Sequence, residues 1–482
     1  MTLNKSYLIC VDESSIERDE HIIVTYDIET TSDTSLGQIG EVIAYDPTIG
    51  TWAKTQGETD EIIEAYSGKL LLPLPSESAQ RGRIRIAIPV HNINPKIGGV
   101  PHMWAILGAP YTLKQVTRIH LVNIDVPRSF TDHLPGPQFG IAGIREIMGV
   151  TESRPFLATM LKPRTGLSSD GYAQLALDVY RGGVDIVFDD ELLVSPESSP
   201  LFERAERVKA VAIQVEAETG EPKRYAANVT SSVRYLREMS LKAKAIGVDF
   251  LYLNPVSIGL SALEMVASDD EICLPILCCR SSYGMLTRGN DGIAFFVLLK
   301  LARFCGADGM HIGSIGGRLP HAIIGDDSKL RSRVSWLRTK LKHVKRTFPI
   351  VSGGLHPGNL ERNVERLGKD IIIQAGSGVI GHPDGPLAGG KAMRDALNAV
   401  LQGIPTFEAA HKSAELEAAL GRWGYLDGEG VHDLDELWAE PPRQVSGTTI
   451  YTSGGSVVIG DVDTRGGDFV GRDQCRGKES GE

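Results

Sequence analysis

Three consecutive carboxylates, Asp189, Asp190 and Glu191, close the run GGVDIVFDDE at residues 182–191. Like charges side by side repel and are costly to bury, so such a run suits a solvated loop or the oxygen shell of a hard cation such as Mg²⁺. Side chains alternate along an extended chain, which puts Phe188 and Asp190 on one face. Asp190 and Glu191 are then the expected metal ligands, with Asp189 as a possible third. Lys162, in TMLKPRTGL, is a second reactive group. Burial or neighbouring cations push a lysine toward its neutral, proton-carrying form; the same residue also serves as a plain cation for an anionic ligand. Arg280 suits a two-point phosphate contact, while His311 suits phosphate binding, proton transfer or a structural role. Arg318 sits in GSIGGRLP (313–320), the make-up of a loop that closes over an anion or of an ordinary exposed loop. Ser352-Gly353-Gly354 and Gly376-Ser377-Gly378 offer backbone N–H groups to phosphate at a range only glycine allows, or are ordinary turns.

These groups share a position in the pattern. Eight apolar runs follow Pro155: PFLATMLKP (155–163), VDIVFDDE (184–191), RYAANVT (224–230), FLYLNPV (250–256), LPILCCR (274–280), DGMHIGS (308–314), FPIVSGG (348–354) and IIIQAGSG (371–378). Each ends in a polar or glycine-rich group, Asn228 and Asn254 among them. Helix-like stretches lie between, such as 171–183, 231–247 and 293–306. Eight such units predict a (β/α)₈ TIM barrel, with a doubly wound open sheet as the alternative. A barrel gathers all the strand ends at one rim, where active sites sit, and phosphate commonly binds after the seventh and eighth strands. Residues 1–150 read as an α+β domain, with strands at 7–13 and 83–90 and a helix at 17–30. The barrel is expected over 151–430. Residues 431–482 form a Gly-rich extension with a short acidic helix in 423–444, expected to be disordered or a small β-rich assembly element that binds another protein.

The charge of −11, with no dense basic run, argues against nucleic acid. No apolar stretch reaches ~18 residues and the N-terminus lacks a signal pattern, so a cytoplasmic protein is expected. Six cysteines without a CxxC pair read as buried reduced thiols.

LKPRTGLS, GGVDIVFDDE, MHIGSIGGRL, SGGLHPGN and QAGSGVIGHPDGP, in that order and spacing, resemble the RuBisCO large-subunit superfamily over about residues 20–430. Gly50-Thr51-Trp52 is similar to the family's phosphate-binding Gly-Thr-Trp. The resemblance implies a ferredoxin-like α+β domain ahead of the barrel, and a homodimer in which one chain's N-terminal domain completes its partner's site. It implies Lys162 as proton shuttle, Asp190 and Glu191 on Mg²⁺, and Arg280, His311 and Ser352 on one phosphate. Thr51, Trp52, Gly353, Gly354, Gly376 and Ser377 would cradle phosphate too, with Ser377 replacing a usual glycine. Phe188 stands where the family carries its carbamylated lysine, and Arg318 where it carries a loop lysine. Cys279 and Tyr283 replace histidines, Asp46 a glutamate, Ala109 an asparagine and Arg164 a lysine. This profile resembles the form IV, RuBisCO-like proteins. It implies enolisation, isomerisation or decarboxylation of a phosphorylated sugar-like ketone through a Mg²⁺-stabilised enediolate, without carbon dioxide fixation. Lys162, His311 and Arg318 would be catalytic. The alternatives are a catalytically dead phosphate sensor or scaffold, and a genuine ribulose-bisphosphate carboxylase.

Overall fold

The computed structural model describes residues 8–51, 53, 55–74, 76, 78–150, 152–289, 291–317, 327–427, 431–432, 448–452 and 455–459. The N-terminal strands are β1 (Cys10–Asp12), β2 (His21–Thr30), β3 (Lys69–Leu72), β4 (Arg81–Pro89) and β5 (Val116–Asp125). Residues 21–30 are therefore a strand, where the sequence reading expected a helix. β2 is central, antiparallel to both β4 and β5, and Ile22 through Tyr26 are all buried. A strand covered on both faces shows no alternation, and its β-branched residues Ile22, Ile23, Val24 and Thr25 favour the pleated backbone.

The barrel strands are β6 (Phe156–Met160), β7 (Ile186–Phe188), β8 (Arg224–Asn228), β9 (Phe250–Leu253), β10 (Ile276–Cys278), β12 (Gly309–Gly313), β13 (Phe348–Ser352) and β14 (Ile372–Gln374). They close in the order β10-β12-β13-β14-β6-β7-β8-β9, all parallel, so the barrel rather than the open sheet is realised. All eight apolar runs supply a strand, and helices such as Ser169–Arg181, Val233–Ile246 and Phe295–Phe304 lie between them. Two residues of the barrel segment, β11 (Gly292–Ile293), leave it and pair in parallel with β5, completing a six-stranded mixed sheet. Asp291 anchors this graft by accepting the Ile119 N–H at 2.9 Å.

The helix Gly140–Ile147 contributes Ile141 and Ile144, with Met148 just beyond it, to the core that holds Phe156, Ile186, Phe250 and Phe348. Buried Asp308 pins the start of this helix, accepting the N–H groups of Phe139 and Gly140 at 2.7 Å each and that of Ile276 at 2.9 Å. Its environment pushes the Asp308 carboxyl up to about 6, burial being the leading cause.

β15 (Tyr425–Leu426) pairs with β16 (Val431–His432). Residues 433–482 form a separate unit, in which β17 (Thr448–Thr452) and β18 (Gly455–Ile459) make an antiparallel hairpin. Within 423–444, where a short acidic helix is expected, Trp423 instead ends the helix Ala414–Trp423 and residues 425–426 and 431–432 form the β15–β16 pair, while 433–444 lie outside the described residues. Cys278, Cys279 and Cys305 are buried thiols as expected, whereas Cys273 is exposed and Cys10 only half-buried. Among the described residues no helix is long and apolar enough to cross a membrane.

Candidate active site

The alternation along β7 decides what each carboxylate does. Phe188 faces the barrel core with Met160, Ala226, Tyr252 and Cys279. Asp189 points the other way, toward the helix Leu201–Thr219. Its Oδ1 accepts from Arg204 Nε at 3.0 Å and from the Tyr225 hydroxyl at 2.7 Å. Its Oδ2 accepts from Arg204 Nη2 at 3.0 Å and from the Asn228 N–H at 2.9 Å. Asp189 is thus a fully partnered structural anchor, which corrects its reading as a possible metal ligand. A buried carboxylate is tolerable only when paired and hydrogen-bonded, and this one is both. Asn228 ties the strand end further, its Nδ2 donating to the Asp190 carbonyl at 3.0 Å.

Asp190 turns to the rim. Its side chain is fully buried, Oδ1 accepts the Leu192 N–H at 2.8 Å, and Oδ2 pairs with the Lys162 ammonium. Arg164 Nε stands 3.9 Å from the same oxygen. Burial, the leading cause, lowers the Lys162 pKa; Glu191 pulls it back up and Arg164 adds to the lowering. Glu191 is partly exposed, and its charge is also felt at Arg280.

Across the barrel, β12 and β13 bring His311 and Ser352 together, with His311 Nδ1 2.8 Å from Ser352 Oγ. Burial first, then the Arg280 charge, drives the imidazole pKa down to about 3, so His311 is neutral at pH 7. Its Nε2 is buried and has no hydrogen-bond partner among the described residues. A Cβ at Gly313 would lie 3.3 Å from Arg280 Nη1 and 3.8 Å from Arg333 Nη1, so both guanidinium groups flank that residue. Arg333, on the helix Ser328–Arg338, was not singled out from the sequence. Nothing in its helical context marks it; only the packing of that helix brings it to the rim. Arg280, Arg333, His311 and Ser352 thus set two guanidinium groups, an imidazole and a hydroxyl at one corner of the barrel, with Arg333 Nη1 also donating to the Ile312 carbonyl at 2.8 Å; a donor set of this kind suits an anion.

Gly353 and Gly354 both have positive φ, 106° and 86°, so this turn requires glycine. Ser314 Oγ donates to the Gly353 carbonyl at 2.8 Å, resting the loop after β12 on the turn after β13. Gly376 precedes a four-residue helix, Ser377–Ile380, with Ser377 exposed. Gly378 serves close packing instead, since a Cβ there would meet the Leu355 carbonyl oxygen at 2.1 Å. Asn254 caps a short helix, its Oδ1 accepting the N–H groups of Val256 and Ser257. Thr51 is half-buried in the loop after the helix Leu36–Tyr45, with no described hydrogen bond to the rim. Trp52 and Arg318 lie outside the described residues.

Between the two corners an aromatic floor spans the barrel. Phe188 meets Tyr252 edge-on at 5.2 Å between ring centres, Tyr252 stands 5.7 Å from His311, and Phe188 stands 6.1 Å from His311. These residues do not fit the Mg²⁺ centre that the resemblance implies. Asp189 is spent on Arg204, Asp190 on Lys162 and the Leu192 N–H, and position 188 offers only a buried ring. Among the described residues no group of three or more His, Cys, Asp or Glu side chains is placed to hold a metal ion.

Residues 140–423 match the catalytic domain of the ribulose bisphosphate carboxylase large chain, and residues 10–130 match its N-terminal domain. The chain belongs to the ribulose bisphosphate carboxylase large-chain family. Within that family it is 35% identical to the ribulose bisphosphate carboxylase of Pyrococcus furiosus over 423 residues, covering 87% of this chain and 98% of the relative. It is 32% identical to a ribulose bisphosphate carboxylase-like protein of Archaeoglobus fulgidus over 400 residues, covering 80% and 89%. Among solved structures, the octameric Rubisco of Pyrococcus horikoshii in complex with sulfate superimposes with a TM-score of 0.79 at 33% identity, covering 87% of this chain and 98% of that one. The dimeric archaeal Rubisco of Hyperthermus butylicus gives 0.78 at 30%, covering 88% and 100%.

Proposed function

We propose that this family member is of the RuBisCO-like, form IV type. In this reading it binds a phosphorylated sugar-like ketone and moves a proton beside the carbonyl, giving enolisation, isomerisation or decarboxylation rather than carbon dioxide fixation. The observation that carries the reading is Phe188. Its ring is fully buried against Tyr252 at the strand end where the resemblance puts the carbamylated lysine, and a phenyl ring forms no carbamate. Lys162 is the acid–base group; desolvation makes its ammonium a readier proton donor than a lysine in water. Arg280, Arg333 and the Nε2–H of neutral His311 take the phosphate, the Ser352 hydroxyl donating to His311 Nδ1 and so holding the ring proton on Nε2, joined by the glycine turns at 353–354 and 376–377. Thr51, Trp52 and Arg318 complete the grip in a homodimer with shared sites. Mg²⁺ belongs to the family's chemistry, but Asp189 and Asp190 are already paired with Arg204 and Lys162.

The comparisons favour a second reading, ribulose-bisphosphate carboxylase, because the relative that bears that name is 35% identical against 32% for the like protein. One experiment separates the two. The protein is mixed in D₂O with ribulose bisphosphate and a panel of phosphorylated ketoses, and the carbon-bound proton beside each carbonyl is followed by NMR, with labelled bicarbonate incorporation measured in parallel. Exchange that is lost in Lys162→Ala, without incorporation, supports the proposal. Incorporation into ribulose bisphosphate establishes the carboxylase. Neither exchange nor incorporation across the panel leaves a phosphate sensor or scaffold.

A further inference from the structure

The acidic end of β7 already has its counter-charge. Asp190 is fully buried, with one oxygen on the Leu192 N–H and the other on Lys162, and Arg164 stands 3.9 Å away. Asp189 faces outward onto Arg204. Mg²⁺ demands near-octahedral oxygen ligation and gives up its water reluctantly, so Glu191 beside an already paired Asp190 makes a poor site. The aromatic contact of Phe188 with Tyr252 fills the side from which a third ligand would come.

Charge balance points the same way. Lys162, Arg164, Arg280 and Arg333 set four positive charges against the two of Asp190 and Glu191. The surplus of two matches the roughly −1.5 to −2 that a phosphate ester carries at pH 7. A divalent ion added to this set would leave the bound state strongly positive in a part-buried site, where excess charge is costly.

We infer that the Lys162 ammonium, and not a divalent metal ion, is the cation that neutralises the Asp190–Glu191 end of the site in the working protein. The substrate's carbonyl oxygen then meets an organic cation on the Lys162 side. This inference rests on the proton-transfer reading above for its functional meaning, but its test does not.

Mn²⁺ stands in for Mg²⁺ and its binding to the full chain, without substrate, is followed by electron paramagnetic resonance. The native protein is expected to leave Mn²⁺ free up to about 1 mM. Lys162→Met releases Asp190 Oδ2 and is expected to raise Mn²⁺ affinity about tenfold or more, a gain that adding Glu191→Gln removes. Lys162→Gln, measured the same way, replaces Lys162→Met if that variant does not fold. Native binding tighter than about 1 mM that Glu191→Gln abolishes overturns the inference. So does a folded Lys162 variant that gains no affinity. Proton exchange provides the second arm. Exchange that survives EDTA supports the inference. Exchange that appears only with added Mg²⁺ overturns it and leaves the proton-transfer reading standing. Absence of both exchange and Mn²⁺ binding removes the proton-transfer reading and leaves the metal-independent charge balance intact.

Discussion

Asp189→Asn is the sharpest test of how the acidic run divides its labour. The substitution keeps the shape but removes the charge that faces Arg204, and both side chains of this pair are fully buried. Of the four donors now aimed at the carboxylate, two from Arg204, one from Tyr225 and one from the Asn228 backbone, those on the new amide nitrogen lose their acceptor. Breaking a buried pair from one side costs about 3–5 kcal/mol, mostly the burden of the uncompensated partner. For a unit spanning Met1–His432, an unfolding entropy of roughly 2.1 cal/mol/K per residue sums to about 0.9 kcal/mol/K, so the loss reads as a fall of about 3–5 °C in Tm. Thermal unfolding followed by circular dichroism measures it, with phosphate-ligand affinity determined on the same sample below the transition. The expected result is a lower Tm with affinity changed less than about twofold, since the anion corner lies across the barrel. Asp189→Leu combined with Arg204→Met should recover a large part of the loss, because a matched apolar pair leaves no stranded charge. A Tm within about 1 °C of native, together with lost ligand or metal affinity, would refute the structural assignment.

The Phe188→Ala variant should lose about 3–5 kcal/mol in urea unfolding through the cavity it opens beside Tyr252, and a cost below about 1 kcal/mol would mean the ring does not fill the barrel. His311 makes acid destabilising: its folded pKa of about 3 lies below the unfolded value of 6.5, so the folded state binds fewer protons in that window. Stability is then full above pH 6.5 and falls as pH drops toward 3, by a limit on the order of 5 kcal/mol; His311→Asn should flatten that part of a Tm-versus-pH curve. His356, pushed down to about 4 by burial, adds a slope of the same sign that the variant retains. Gly378→Ala should lower Tm because its Cβ meets the Leu355 backbone, whereas Gly376→Ala, with nothing within 4 Å, should leave Tm near native while ligand affinity reports any phosphate role of that N–H. Equal Tm values for the two would contradict the packing difference.

Much of the architecture was legible because it depends on local pattern. Buried parallel strands are short apolar runs whatever their partners, and a crossover helix between each pair leaves a fixed rhythm, so the eight barrel strands could be read off. The placement of polar groups at the strand ends was equally local. The same logic failed at β2, where a central strand buried on both faces shows no alternation and its polar flank, Glu17 to His21, imitated a helix start. It also could not foresee β11, which is only two residues long and exists because β5 offers it an edge.

The sequence by itself determined the barrel, the rim and the chemistry available there: a lysine, an acidic run, an arginine and glycine turns, with a phenylalanine set among the acids. Tertiary structure decided what those groups do. Alternation could separate Asp189 from Asp190, but only the docking of the Leu201–Thr219 helix supplied Arg204 and turned Asp189 into an anchor. Only barrel closure laid Lys162 on Asp190 across the β6–β7 pair and set Phe188, Tyr252 and His311, which come from three different strands, ring against ring. Arg333 entered the anion corner through the packing of a helix whose own sequence gives no sign of it. The physical reason is common to all of these. Side-chain direction follows from the local backbone and is written in the chain's period, whereas the identity of a charge's partner depends on contacts between residues 15 to more than 100 positions apart, and those exist only once the barrel has closed.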